Sequence, residues 1–162
     1  MNPLIQVLIV KIFMSKKKSI LKVLNKIVAN QTILNWTEDI DGDDFNDALD
    51  HINLMRNRNF QQGYNDLELK DKKTVDPKEL LPVVAFKSKP YGWLKEYPKN
   101  KWINEFKKVY DRDISHILKA SENEGINSPI VIDNEIADGI ARTKLAYSLG
   151  EKLPVAFYRG IK

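Results

Sequence analysis

The segment that most restricts the fold lies at residues 128–158. Ser128-Pro129-Ile130-Val131-Ile132-Asp133 is a short apolar run of the buried-strand type, and Glu135-Ile136-Ala137 is a second, shorter extended run. Asp138-Gly139 then leads into a helical stretch closed by Leu149-Gly150, and Pro154-Val155-Ala156-Phe157-Tyr158 reads as a last strand. Apolar runs bounded by Pro, Asp and Gly mark strands, and glycine just past the last turn is a usual helix stop. Strands and helices interleaved in this way place the chain in the α+β (or α/β) class.

Composition excludes more than it assigns. The 162 residues fit one domain, or one domain with a small helical appendage. The absence of cysteine removes disulfides, thiolate metal sites, cysteine nucleophiles and thiol redox chemistry. Two histidines, His51 and His116, argue against a His-rich metal site or a Ser-His-Asp triad, and both read as helix-surface residues. No run of 18 apolar residues exists, so no membrane-spanning helix and no membrane partner are expected, and the cytoplasm is the expected location.

Charge divides the chain unevenly. Residues 1–35 carry six lysines and no acid; residues 36–50 carry seven acids and no base. Residues 51–110 hold 13 basic and seven acidic residues, and the remainder is nearly neutral. A basic middle allows a polyanion partner without demanding one. Met1 to Phe13 is apolar but short and interrupted by Lys11; it lacks the leading charge and cleavage site of a signal peptide. Residues 1–13 are expected to be a start-site extension, the other reading being a peripheral amphipathic anchor.

From Ser19 the spacing is helical, with Ile20, Leu21, Val23, Leu24, Ile27 and Val28 in one stripe. Phe45, Leu49, Ile52 and Met55 predict a second helix, with Asp43 or Asp44 as its N-cap. The polar stretch Asn57 to Tyr64 reads as a loop, which sets the expected boundary between a helical region at 1–62 and a domain at 65–162. Val75 to Pro82 and Val83 to Phe86 read as a short strand, a turn and an extended segment. Helices are expected at Lys101–Tyr110, with Trp102, Phe106 and Val109 inward, and at Ile114–Glu122, stopped by Gly125.

The chemistry concentrates at Asp138-Gly139. The free N–H groups of a helix's first turn point out of its end, where the dipole adds about half a positive charge. Glycine lets a ligand approach the backbone, and Arg142 adds a planar fork of donors. Together these make a phosphate site. Asp138 can cap the helix, coordinate a metal or orient a hydroxyl. The plainer alternative is a strand-turn-helix with an Asp N-cap and a surface arginine.

This segment resembles the ParB/sulfiredoxin-like superfamily through Pro129-Ile130-Val131-Ile132-Asp133, Asp138-Gly139-Ile140-Ala141-Arg142, Ala146, Leu149-Gly150 and Leu153-Pro154-Val155. Val75-Asp76-Pro77-Lys78-Glu79-Leu80-Leu81-Pro82 looks like that fold's first strand and turn. The resemblance covers about residues 73–162 and implies a ParB/sulfiredoxin-like core with a small mixed sheet. It also implies a nucleotide pocket at the helix N-terminus, serving CTP or ATP chemistry, phosphoryl transfer or DNA cleavage. The sulfiredoxins' cysteine is missing, and the helical DNA-binding domain of the partition proteins is not expected here. The Asp-Gly-His-x-Arg pattern of kinase and nuclease-like members fits best, with its histidine replaced by Ala141, or by Ile140 depending on alignment.

On that resemblance Asp138 and Glu79 are the candidate metal ligands or general bases. Gly139, Ile140 and Arg142 form the phosphate clamp, Thr143 adds a hydroxyl, and a nucleoside triphosphate with Mg²⁺ is the expected cofactor. The alternative is a catalytically degenerate module that docks a protein or DNA partner. The Lys/Asn/Ile-rich style suits a small phage or mobile-element protein.

Two other features bear on partners. Lys87, Lys89, Tyr91, Trp93, Lys95, Tyr97, Lys99, Lys101 and Trp102 interleave cations with aromatics. They could stack bases and hold phosphates, or pack as a loop with solvated lysines. Asp39-Ile40-Asp41-Gly42-Asp43-Asp44 resembles a calcium loop, but with its glycine at the fourth position it reads better as a helix-capping acidic turn.

Overall fold

Pro3 opens a 27-residue helix, α1 (Pro3–Ala29), in keeping with proline's tolerance of a helix's first turn. The computed structural model describes residues 3–29, 33–37 and 42–162. The chain divides into two compact units, Met1–Thr32 and Ile33–Lys162. The first contains α1, which begins well before the helix expected from Ser19. The suggested calcium loop falls largely on residues 38–41, outside the described residues.

The second unit begins with a two-residue strand, β1 (Trp36–Thr37), and α2 (Gly42–Arg58). Asp43 and Asp44 sit in the first turn of α2, and Arg56 and Arg58 in the last, each matching the sign of the helix dipole there. Then come β2 (Asp66–Val75), α3 (Trp102–Tyr110), α4 (Ser115–Asn123), β3 (Ile126–Asn127), β4 (Ile130–Ile132), β5 (Glu135–Asp138), α5 (Ile140–Ser148) and β6 (Leu153–Ile161). The fold is α+β. β1 pairs with β3 in parallel, Trp36 opposite Ile126. The main sheet has the order β2-β6-β4-β5. β6 runs antiparallel to β2, Val75 opposite Leu153, and parallel to β4, Ile130 opposite Ala156. The parallel pair needs a crossover, which β5 and α5 supply.

β4 and β5 join through Asp133 (φ 46°) and Asn134 (φ 71°). Both are left-handed, the backbone of a two-residue hairpin turn, and Asp and Asn tolerate it best among non-glycine residues. α5 is bounded by glycines in the left-handed region, Gly139 (φ 98°) and Gly150 (φ 68°). At its far end the Gly150 N–H donates to the Tyr147 carbonyl and the Glu151 N–H to Ala146, a Schellman termination.

The sheet has a core on each face. Successive residues of β4 alternate: Val131 joins Phe86, Phe106, Leu94, Leu145, Leu149 and Leu153 on one side. Ile130 and Ile132 join Ala48, Ile52, Leu67 and Ala137 on the other. α2 therefore packs on β4 and β5 and belongs to the second unit. The two compact units divide between Thr32 and Ile33, and the polar stretch 57–64 lies within the second.

Two other expectations change. β2 is ten residues long and begins at Asp66, where the sequence pattern marks a short strand only from Val75; an edge strand leaves charged side chains such as those of Glu68 to Lys73 in water, which hides the alternation. Val83–Phe86 is a 3₁₀ turn instead of an extended segment; Val83 and Val84 are exposed, and only Phe86 reaches the core.

Candidate functional site

Gly139 is the pivot of the site. It is buried, and a Cβ built on it would lie 2.7 Å from Pro129 Cβ and 2.8 Å from Pro129 Cα. With φ at 98°, glycine is required on both counts. The Gly139 carbonyl accepts the Thr143 N–H at 2.9 Å, closing the first turn of α5. Gly139 is the N-cap and has no side chain to cap that end, so the N–H groups of Ile140, Ala141 and Arg142 have no intrahelical acceptor.

That end opens into a cleft of about 870 Å³. Its walls are Asp44 and His51 from α2, Arg112 and Asp113, His116, Ile117 and Ala120 from α4, the segment Glu124–Asn127, and Ala137–Arg142. Both histidines of the chain line it. Asp113 accepts the Ser115 N–H at 2.7 Å. Hydrogen bonds from the Ser115 side chain and then its N–H, with Lys107 and His116 nearby, hold the Asp113 carboxyl below the ordinary range.

Arg142 is used within the fold. Its side chain is 14% exposed. One terminal nitrogen donates to the Asn127 carbonyl at 2.8 Å and lies 3.9 Å from Asp44 Oδ2; the other pairs with Asp138. The Asn127 amide in turn donates to Asp44. This group ties β5 and α5 to α2 and β3. Asp138 is thus an ion-pair partner of Arg142, one turn on, and not the N-cap.

The other expected site residues are dispersed. Ile140 lines the cleft and is 45% exposed. Thr143 is fully buried, and its hydroxyl donates to the Gly139 carbonyl at 2.9 Å, so it faces the fold's interior. Glu79 is exposed and caps the 3₁₀ turn Pro77–Glu79, accepting the Asp76 N–H at 3.3 Å; it does not line the cleft. Among the described residues no group of three or more His, Asp or Glu side chains is placed to hold a metal. Asp138, engaged by Arg142, offers a single donor, so these residues do not fit a dedicated Mg²⁺ site.

The aromatic–cation stretch is mostly core. Trp93 is 4% exposed, and its indole donates to Ser148 Oγ at 2.9 Å; Trp102 is also buried and donates to the Tyr97 carbonyl at 2.9 Å. Lys89 Nζ lies 5.1 Å over the Trp93 ring. Lys99 pairs with Glu122 at 2.6 Å, while Lys95 and Lys101 are exposed. Trp93 therefore offers no face for a base, which corrects the expectation of a stacking surface centred on it.

The sequence pattern puts His51 and His116 on helix surfaces without a role and gives no sign of Arg112; all three line the cleft. Asp44 and His51 are seven apart, on one face of α2, and His116 and Ala120 are four apart on α4. Those spacings were visible; that α2 and α4 face one another across α5's N-terminus was not.

Comparison of the chain with family models, with curated proteins and with solved structures finds no match.

Proposed function

We propose that the cleft binds a phosphate-bearing ligand, a nucleotide or a nucleic-acid phosphate, and that the chain is a ParB-like binding module acting in the cytoplasm. One observation carries this reading: the uncapped N-terminus of α5 opens into the cleft on a glycine that Pro129 holds in place. First-turn N–H groups outside the intrahelical ladder and the helix dipole favour an anion there, and Arg112 adds a cation to the lining. Asp138 and Glu79 are committed to an ion pair and a turn cap, which favours binding over turnover. A phage-type accessory or inhibitor protein docking a protein or DNA partner fits such a module.

The enzymatic reading, phosphoryl transfer or phosphodiester cleavage, has its own support. His51 and His116 stand on the same cleft, and imidazole is the side chain suited to moving a proton near neutral pH.

Thermal shift against a panel of nucleoside triphosphates, with and without Mg²⁺, tests both on wild type and Ile140→Glu. A carboxylate in the first turn suits the helix dipole but repels phosphate. The variant should fold at least as well as wild type and lose the shift, while wild type at 100 times Kd gains about 2.7 kcal/mol. Equal shifts in both proteins, or none in wild type, would remove the cleft from consideration. Release of phosphate that His116→Gln abolishes would favour the enzyme.

A further inference from the structure

Among the described residues of its own unit, nothing covers the apolar surface of α1. Ile5, Leu8, Ile9, Val10, Ile12, Phe13, Met14 and Ile20 are each at least half exposed, Phe13 at 67%. At about 100° per residue, Ile5, Ile9, Ile12, Phe13 and Ile20 fall within an arc of roughly 100°. Lys11 and Lys18 fall on the opposite side, Lys17 flanks the stripe and Lys16 lies within it; Leu8, Val10 and Met14 fall outside the arc. No helix of the described residues is long and apolar enough to cross a membrane.

We propose that α1 is a membrane-surface helix that docks the chain on an anionic lipid bilayer, lying in the interface with its apolar arc among the acyl chains. Two independent signals coincide on it, as stable peripheral binding requires: exposed apolar area and a lysine cluster. Lysine stems can lie along the apolar face while their ammonium groups reach the headgroups. Charge selects this occupant over a second copy of the helix. α1 has no acidic residue, so a second α1 laid on the apolar arc would bring like charges against Lys16 and Lys17, whereas anionic headgroups supply the opposite charge.

The test is co-sedimentation of the full chain with vesicles of phosphatidylcholine alone and of phosphatidylcholine mixed with phosphatidylglycerol, at rising salt. Binding should require phosphatidylglycerol and weaken with salt. The triple change Lys16→Gln, Lys17→Gln, Lys18→Gln should weaken it about 100-fold, at about five-fold per lysine. Phe13→Glu should abolish it with the thermal unfolding of the rest of the chain unchanged. Absence of binding to the mixed vesicles overturns the proposal, as does equal binding to phosphatidylcholine alone. So does self-association in solution that Phe13→Glu dissolves without any vesicle binding in wild type.

Discussion

The Arg142 guanidinium turns back along α5 to the Asp138 carboxylate while donating to the Asn127 carbonyl at 2.8 Å. The residue with the best credentials as a ligand-binding arginine is therefore a joint between four elements. An arginine so enclosed fixes the shape of the cleft wall.

Arg142→Ala should accordingly act first on stability. It strands Asp138 and Asp44 without their cation and leaves the Asn127 carbonyl short of a donor, for a loss of about 2 kcal/mol. Arg142→Lys should recover only part of this, because an ammonium cannot reproduce the planar fork. Urea unfolding of the three proteins checks it; a full rescue by lysine would mean that charge alone matters.

Gly139→Ala should be among the most damaging changes in the chain. The methyl would overlap Pro129, in a left-handed conformation that disfavours any side chain. The expected loss is about 3 kcal/mol, read as a drop in the urea midpoint. Pro129→Ala keeps the Cβ and Cα that stand nearest, so the double variant should recover little of the loss.

Glu151 is buried at the end of α5, and its two oxygens accept the N–H groups of Ile33 and Leu34. Glu151→Ala leaves both donors without a partner and should cost about 3 kcal/mol. Glu151→Gln, keeping one acceptor, should cost roughly half as much. Hydrogen exchange localises the effect: the Ile33 and Leu34 amides should lose protection in either variant before the amides of β6 do.

Tyr64 predicts an alkaline effect. Its hydroxyl donates to Asp133, and that hydrogen bond, then burial, then the Asp133 charge push the phenol above its ordinary pKa, against the opposing pull of Arg56. A folded pKa raised above the unfolded value gives a contribution that is complete below pH about 10. It is lost as pH rises through the folded value. Wild type should therefore lose stability more steeply than Tyr64→Phe above pH 10, and the two slopes should coincide at neutral pH. Identical slopes throughout would show that the hydroxyl proton is not held by Asp133.

How much of this was readable beforehand depends on the range of the interactions. α2, α3 and α4 announce themselves through local apolar spacing, and Ile52, Trp102, Phe106 and Ile117 are buried as that spacing requires. β4, β5 and α5 fall where Pro129, Gly139 and Gly150 punctuate the chain. β2 escaped notice because its charged side chains belong to an edge whose neighbour in the sheet, β6, is some 80 residues away. The glycine pivot was legible, since a glycine before a helix has few local reasons to be there. The engagement of Arg142 by Asp44 and Asn127 was not, because both partners come from other parts of the chain. The arrival of His51 and His116 in one cleft likewise depends on tertiary packing that no local pattern encodes.

The close fit of Pro129 beneath Gly139 carries a genealogical consequence. The atoms in the way are the Cβ and Cα of residue 129, which outlast an exchange of the proline ring. Position 139 should therefore remain glycine in homologues whatever residue stands at 129.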